Sequence, residues 1–257
     1  MTEPLIRRHV QDGIATVTLA APATLNALSA AMLQALEATF AALATDDSTR
    51  VVILAAEGKA FSAGHDLKEM QSYRAATDGG QAQFQALFDR CAAVMQAIAA
   101  LPQPVIAQVQ GVATAAGCQL VAMCDLAVAA EGAKFAVSGI NLGLFCSTPA
   151  VALSRRLAPG MAFEQQTTGD CLPAPRAHAL GLVNRLAPPD RLAEETLHLA
   201  ASIAGKDPAA VRLGKRAFRA QLAQPLPQAY ATAGTAMVEN ALLPATAEGI
   251  QRFIDRR

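Results

Sequence analysis

Two stretches of the sequence decide the fold: Ala60-Phe61-Ser62-Ala63-Gly64-His65-Asp66-Leu67-Lys68 and Gly111-Val112-Ala113-Thr114-Ala115-Ala116-Gly117-Cys118-Gln119-Leu120. Each follows an apolar run rich in β-branched residues and opens a segment that the pattern predicts to be a helix. Because the first turn of a helix has unsatisfied N–H groups and a partial positive charge, two such junctions can hold an oxygen atom that becomes negative. The spacing alone leaves a second interpretation open, in which both are only tight turns.

The overall composition argues against several classes of partner. The chain has 257 residues, 21 Lys and Arg, 21 Asp and Glu, and no Trp. A chain without net charge has no overall attraction for nucleic acid or an anionic membrane, and few aromatic residues offer little base stacking. No apolar run reaches the roughly 20 residues of a membrane span. We therefore expect neither a nucleic-acid partner nor a membrane span.

The cysteines and histidines predict a reduced protein without metal. The five cysteines are odd in number and none forms a Cys-x-x-Cys pair, which favours the cytosol or an organelle matrix over secretion. The N-terminal sequence lacks an apolar signal core, so we expect a cytoplasmic protein. The four histidines lack metal-ligand spacing and no nucleotide-binding motif is present, so we expect no metal and no cofactor.

Turn and capping signals predict the first elements of the fold. Asp12-Gly13 favours a hairpin between two strands. Ser29 can cap a helix that ends near residue 43. Continuous apolar runs at 51–54 and 105–109 predict strands covered on both faces, and 81–100 predicts a long helix. These elements alternate as expected of an α/β protein.

The alternation of strands and helices continues to about residue 190. Strands are predicted at 126–129 and 134–137, and a helix at 148–157. Beyond Pro188-Pro189 the pattern predicts helices only. We therefore divide the chain into an α/β core, residues 1–190, and an all-helical C-terminal region, residues 191–257.

The sequence resembles the crotonase superfamily, also called the enoyl-CoA hydratase/isomerase family, over nearly its whole length. Several separate motifs in the family's order carry the resemblance. They are Pro22-Ala23-Thr24-Leu25-Asn26-Ala27-Leu28, Ala60 to Met70, Pro104-Val105-Ile106-Ala107 leading to Gly111, Cys118-Gln119-Leu120 with Cys124-Asp125-Leu126, Phe135, and Leu142-Gly143. Within the superfamily the chain looks most like the enoyl-CoA hydratase domain-containing proteins.

The resemblance implies a spiral of repeated β-β-α units, with a C-terminal region that packs into a homotrimer or a dimer of trimers. It implies an acyl-CoA thioester as ligand, in a pocket of the core, with coenzyme A entering as part of the substrate. The implied oxyanion donors are the backbone N–H groups of His65 and Ala116. The implied contacts to the thioester are Ala23, Leu25, Phe61, Ala63, His65, Asp66, Leu67, Gly117, Cys146, Ser147, Phe253 and Arg256.

Two positions depart from the family pattern. By the resemblance, enoyl-CoA hydratases use two glutamates, one immediately before Leu120 and one four residues after Phe135. This chain has Gln119 and Gly139 there. Neither side chain titrates near neutral pH, and a general acid or base typically contributes about 10²–10⁴ in rate. We therefore expect poor hydration, and we expect glutamate at both positions to raise it.

Few other groups can replace the missing carboxylates. The His65 imidazole has a suitable ordinary pKa, but the resemblance uses only its backbone and leaves its ring toward the CoA phosphates or solvent. Cys146, Ser147 or Thr148 could act as a nucleophile, or could line the pocket or cap a helix. Gln119 could orient water or be a buried structural amide. Asp66 is expected to cap a helix, in a capping box with Glu69.

Three functions follow from these residues. The first is an enzyme of fatty-acid metabolism that stabilises the enolate of an acyl-CoA thioester, with hydration of a 2-enoyl-CoA as its nominal reaction and isomerisation or thioester hydrolysis as alternatives. The second is a non-catalytic acyl-CoA-binding or regulatory protein, which the loss at Gln119 and Gly139 favours. The third is a structural subunit with a vestigial pocket.

Overall fold

Apolar runs form the strands, as the sequence predicts. The computed structural model describes residues 3–256, so Met1, Thr2 and Arg257 of the predicted division lie outside the described residues. The strands are β1 Ile6–Gln11, β2 Ile14–Leu19, β3 Val51–Ala56, β4 Ala60–Ser62, β5 Val105–Val109, β6 Val112–Thr114, β7 Leu126–Ala130, β8 Lys134–Ala136, β9 Leu172–Pro173 and β10 Arg185–Ala187.

The helices begin at the predicted caps Ser29 and Asp66 and follow the predicted pattern over most of the chain. Ser29 accepts a hydrogen bond from the N–H of Met32 at 3.2 Å and so caps the first helix. The helices are α1 Ala30–Ala44, α2 Leu67–Tyr73, α3 Gln81–Ala100, α4 Ala116–Met123, α5 Ser147–Leu153, α6 Pro159–Thr168, α7 Ala174–Ala179, α8 Leu192–Ala204, α9 Pro208–Gln221, α10 Leu226–Ala241 and α11 Pro244–Ile254. Short 3-10 turns occupy Pro22–Thr24, Ser138–Leu142 and Pro189–Arg191.

The strands form two sheets that the chain visits in turn. The order of the larger sheet is β1-β2-β3-β5-β7-β10, and that of the smaller sheet is β4-β6-β8-β9. Strands β3, β5 and β7 each enter the larger sheet, continue into β4, β6 or β8 of the smaller sheet, and then lead into helix. The repeated β-β-α unit expected from the resemblance is therefore confirmed, as is the helical C-terminal region.

The larger sheet is covered on both faces. Val52 and Leu54 of β3 pack into the main core with α1, α3 and α4. Val51 and Ile53, which point the other way, pack with Leu199 of α8. This explains why β3 is apolar throughout its buried part, since both of its faces are removed from water.

A half-buried carboxylate attaches α9 to the core. Asp125, between α4 and β7, lies 2.7 Å from Nζ of Lys215 and 2.6 Å from Nη2 of Arg219. The same carboxylate accepts a hydrogen bond from the N–H of Val105 at 2.8 Å. One acidic side chain thus connects the start of β5 to α9.

Two predictions about the elements were wrong. The predicted helix at 148–157 ends at Leu153, and α6 and α7 were not predicted. The buried positions of α6 are Ala162, Gln165 and Gln166, so its inward face lacks the apolar stripe that reveals a helix.

Candidate active site

The two strand-to-helix junctions meet in space. Gly64 has φ +85°, and a Cβ built on it would lie 2.9 Å from the Cβ of Ala115 and 3.2 Å from the backbone N of Ala116. A residue with a side chain would force the junctions apart. The small residues that the sequence shows at both places are therefore needed for close packing between segments about fifty residues apart.

Polar side chains hold the first junction. Asn26 is fully buried and donates through Nδ2 to the carbonyls of Glu57 at 2.8 Å and Ala60 at 2.9 Å, while its Oδ1 accepts from the N–H of Ala21 at 2.9 Å. The hydroxyl of Ser62 donates to the carbonyl of Asn26 at 2.8 Å. These bonds fix the loop before α1 against the turn that carries His65.

Backbone geometry and close packing hold the second junction. Ala115 has φ 49° and ψ −121°, which is unusual for a residue with a side chain, and it caps α4 without a side-chain hydrogen bond. Its N–H donates to the carbonyl of Ala136 at 2.9 Å. Two residues on, a Cβ on Gly117 would lie 2.3 Å from the carbonyl oxygen of Ser62. The backbone of α4 thus rests directly on the first junction.

A cavity of about 250 Å³ opens at the meeting point. Both junctions, α2, α3 and the segment from Ser138 to Pro149 contribute to its wall. The lining residues are Ala63, His65, Leu67, Met70, Phe88, Ala115, Ala116, Ser138, Gly139, Leu142, Leu144, Phe145, Cys146, Ser147, Thr148 and Pro149. The wall is mostly apolar, with a few hydroxyls and backbone groups, as is usual for a small-molecule site.

Two backbone donors at this wall lack a protein acceptor. Within the described residues, neither the N–H of His65 nor that of Ala116 donates to another protein group. Ala116 is the first residue of α4, where an unpaired N–H is expected and the helix dipole favours negative charge. The arrangement can bind an oxygen atom that carries partial or full negative charge.

The His65 ring is held in place and does not face solvent, contrary to one expectation from the sequence. Its Nδ1 lies 3.0 Å from the carbonyl oxygen of Leu28, and its ring packs edge-to-face on Phe88 at 5.7 Å between centroids. Nε2 is buried without a partner. Burial is the main influence on the ring and lowers the pKa of His65, with the Leu28 hydrogen bond and Glu69 acting in the opposite direction.

Asp66 is the cap of α2. Its Oδ1 accepts from the N–H groups of Lys68 at 2.9 Å and Glu69 at 3.2 Å. The predicted capping box forms only in this half, because the carboxylate of Glu69 turns to the N–H of Ala30 at 3.0 Å and the hydroxyl of Tyr73 at 2.9 Å. Glu69 therefore caps the neighbouring helix α1.

The Gly139 position has no room for a side chain. A Cβ there would lie 2.5 Å from the carbonyl oxygen of Leu144 and 2.7 Å from Sγ of Cys146. The segment from Leu144 to Cys146 thus fills the space that a glutamate would need. Installing glutamate at Gly139 would displace this wall, and the effect of glutamate at both positions on hydration stays a prediction.

The cysteine near the site is protected from ionisation. Burial raises the pKa of the Cys146 thiol, and it raises that of neighbouring Cys118 to about 12. The hydroxyl of Ser147, the first residue of α5, lies near the carbonyl of Phe145 at 3.5 Å. No described side chain is placed as a base for either group, which favours the lining role over the nucleophilic one.

Other predicted site residues lie away from the cavity wall. Gln119 is 4% exposed and its Oε1 has no described partner. Phe61 is fully buried in the core, and Gly117 packs on Ser62. The remaining predicted residues are exposed or half-buried and do not line the cavity: Ala23 in the first 3-10 turn, Leu25 directly after that turn, and Phe253 and Arg256 near the C-terminus.

Several lining residues gave no functional signal in the sequence. Phe88 and Met70 have the spacing of core residues on α3 and α2, and only the tertiary structure turns them toward the cavity. Leu144 and Phe145 were detectable in the sequence as large apolar residues between predicted elements, and in the structure they are 45% and 39% exposed. A run of exposed apolar residues in a loop is typical of a ligand or partner surface.

Within residues 3–256 no group of three histidine, cysteine, aspartate or glutamate side chains could hold a metal ion. Over the same range no helix has both the length and the hydropathy to cross a bilayer.

The chain belongs to the enoyl-CoA hydratase/isomerase family, whose sequence profile matches residues 9–257. It is 44% identical over 257 residues to the enoyl-CoA hydratase domain-containing protein 3, mitochondrial, of Rattus norvegicus, covering 100% of this chain and 84% of the relative. Two solved structures are similar. An enoyl-CoA hydratase of Mycobacterium smegmatis has 52% identity and a TM-score of 0.95, with 99% of this chain and 98% of that chain covered. The human domain-containing protein 3 has 42% identity and a TM-score of 0.93, with the same coverage.

These relatives correct the predicted localisation. The matching domain-containing proteins of rat, mouse, frog and human are all named as mitochondrial, which points away from the cytoplasm. The cysteine argument could not separate the two compartments, because both the cytosol and an organelle matrix keep thiols reduced.

Proposed function

We propose that the protein binds an acyl-CoA thioester and stabilises its enolate between the backbone N–H groups of His65 and Ala116. The observation that carries the proposal is the contact between the two junctions at Gly64 and Ala115, which puts two unpaired N–H groups on the wall of one apolar cavity. An apolar wall with a few fixed donors suits an acyl group whose only polar atom at that depth is the carbonyl oxygen.

Efficient hydration of a 2-enoyl-CoA is not part of this proposal. Hydration needs a group that activates water and one that delivers a proton. Gln119 cannot titrate, and Gly139 has no space for a carboxylate without displacement of Leu144 and Cys146. The proposed core function is therefore binding and enolate stabilisation, with crotonyl-CoA hydration close to the uncatalysed rate.

Calorimetry with crotonyl-CoA and free CoA tests the proposal. Free CoA lacks the acyl carbonyl, so only the thioester uses the two N–H groups. We expect Ala116→Pro, which removes one N–H at the first helical position, where proline is tolerated, to weaken crotonyl-CoA binding about tenfold, the value of one good hydrogen bond. Free CoA should bind as before.

Ala116→Gly is the matched control, because it removes the methyl group and keeps the N–H. Circular dichroism verifies that both variants keep the fold. Absence of thioester binding at millimolar concentration would contradict the proposed ligand. Equal loss in the proline and glycine variants would contradict the role of the N–H.

We also propose that α10 and α11 pack against further copies of the chain, in a trimer or a dimer of trimers. No described residue of either helix is buried, and α10 presents Met237 at 69% exposure, with Leu242 after it at 79%. Contiguous exposed apolar surface of this kind is typical of an interface. Light scattering should show assemblies of three or six copies. The double variant Met237→Glu with Leu242→Glu should lower the number of copies, whereas Leu197→Glu on α8 should leave it unchanged.

A further inference from the structure

We propose that the His65 imidazole is the base that moves the proton at the carbon next to the thioester carbonyl, with Nε2 as the reacting atom. This inference rests on the proposed function, because it needs the thioester in the cavity. It assigns to one residue two separate tasks, in which its backbone N–H binds the oxygen and its ring exchanges the proton.

The hydrogen bond to Leu28 fixes the tautomer of the ring. A carbonyl oxygen can only accept, so the contact of 3.0 Å requires the proton to be on Nδ1. In the neutral ring Nε2 therefore carries a lone pair and no proton. The backbone on both sides is also fixed, since the N–H of Leu28 donates to the carbonyl of Gly64 at 2.7 Å.

The lone pair of Nε2 is a buried acceptor that no described group satisfies. Such an atom is costly to the fold, and unsatisfied buried groups concentrate at functional sites. The surroundings are apolar, because Phe88 of α3 packs on the ring and Met70 of α2 lines the same cavity. A ligand that presents a proton to Nε2 of His65 would give this nitrogen the partner that it lacks.

His65 is the one side chain of the described cavity wall that can accept a proton near neutral pH. The other lining side chains are aliphatic, aromatic or hydroxylic, apart from Cys146, whose thiol burial keeps protonated. The charged group near His65 is Glu69 of α2, which points to Ala30 and Tyr73. From α3 and the loop before α1 the ring meets only Phe88 and the Leu28 carbonyl.

The proposed step balances without water or a further reactant. Nε2 takes a proton from the carbon next to the carbonyl, and the C–H electron pair forms the carbon–carbon double bond of the enolate. The carbonyl π pair moves to oxygen, which the two N–H groups hold. The imidazolium then returns its proton to the same carbon, or to the far end of the dienolate when the substrate is a 3-enoyl thioester, which shifts the double bond.

The ring must become accessible for this step. Nε2 is closed to solvent, and Phe88 both packs against the ring and lines the cavity. An acyl chain that takes the place of the Phe88 edge would bring the carbon next to the carbonyl within reach of the imidazole.

Deuterium exchange of butyryl-CoA in D₂O, followed by mass spectrometry at saturating thioester, tests the proposal. We expect the wild type to exchange the protons at the carbon next to the carbonyl. The rate should rise with pH through the lowered pKa of His65 and then level off, because only the neutral ring accepts a proton. His65→Ala and His65→Gln should both reduce the rate at least 100-fold.

The two variants and one control separate a chemical role from a structural one. His65→Gln can still donate to Leu28 but cannot titrate, so a merely structural histidine would leave its exchange rate and pH profile unchanged. His178 also has Nδ1 3.0 Å from a backbone carbonyl, that of Val183, but lies outside the cavity. His178→Gln should exchange at the wild-type rate.

Thioester binding and deuterium exchange together distinguish failure of this inference from failure of the proposed function. Thioester binding without exchange in the wild type, or full exchange in His65→Gln, overturns this inference and leaves the proposed function intact. Failure of the wild type to bind any thioester overturns both. Loss of exchange in His65→Gln with thioester binding retained supports the inference, and thermal melting of each variant confirms that the fold persists.

Discussion

The two junctions present the same chemical group by different means. At the first junction, side chains fix the backbone through hydrogen bonds from Asn26 and Ser62 and through the cap Asp66. At the second, no side chain caps the helix, and the geometry depends on Ala115 in an unusual backbone conformation and on a glycine that lies against Ser62. The comparison teaches that an unpaired N–H can be positioned by polar anchors or by the absence of side chains.

Gly117→Ala should have the largest effect, because the second junction depends on close packing. The new Cβ would lie 2.3 Å from a backbone oxygen that cannot move freely. We expect a loss of about 3 kcal/mol in the free energy of unfolding, measured by urea denaturation at one protein concentration. Gly214→Ala on α9, where a Cβ meets nothing within 4 Å, is the control. An equal loss of unfolding free energy in both variants would show that the second junction does not depend on close packing at Gly117.

Asn26→Ala should come next, because the first junction depends on polar anchors. The substitution removes one buried and two part-buried hydrogen bonds, and it leaves the N–H of Ala21 and the carbonyl of Glu57 unpaired. We expect destabilisation of about 2 kcal/mol. Gln110→Ala removes a half-buried donor to Gly58 and Ala60 and should cost less than half as much. A larger destabilisation in Gln110→Ala than in Asn26→Ala would show that Asn26 does not anchor the loop.

Asp66→Ala tests the side-chain cap of the first junction. Loss of the two bonds to the N–H groups of Lys68 and Glu69 should cost about 1 kcal/mol. In a chain of this length that corresponds to a fall of roughly 2–4 °C in Tm. Asp66→Asn keeps an acceptor oxygen and should melt close to the wild type. A smaller loss in alanine than in asparagine would contradict the capping role.

Ala115→Gly should have the smallest effect and the opposite sign. Glycine adopts the backbone angles of this position without the strain of about 1–3 kcal/mol that a side chain incurs, but it loses about 0.5–1 kcal/mol through the greater freedom of the unfolded chain. We expect a net gain of about 0.5 kcal/mol in a thermal melt. Destabilisation would mean that the methyl contact with Gly64 is worth more than the strain.

Much of the fold was predictable because its signals are local. The hairpin at Asp12-Gly13 has positive φ at both residues, as its turn type requires. The Ser29 cap and the bounds of α3 and β5 also agree with the sequence prediction. Helix α6 was missed because buried glutamines, Gln165 and Gln166, replace its apolar stripe.

The site was predictable only in part. Small residues at Gly64 and Ala116 and the apolar segment at Leu144 and Phe145 could be found by inspection of the sequence. The close packing around Gly139 could not be predicted from the sequence. The atoms that fill the space beside it belong to residues further along a loop that has no regular period. Sequence comparison treats the position as a lost glutamate, whereas the packing shows a position that requires glycine.

The sequence by itself determined the alternation of strands and helices and the two small-residue junctions, which depend on residue type and on spacings of a few residues. The resemblance implied the repeated β-β-α unit and the glutamates whose places Gln119 and Gly139 take. The tertiary structure alone decided that the junctions touch, that Leu28 fixes the proton of His65 on Nδ1, and that Nε2 stays unpaired. Those facts arise from contacts between residues about 40 to 50 positions apart, which no local pattern encodes.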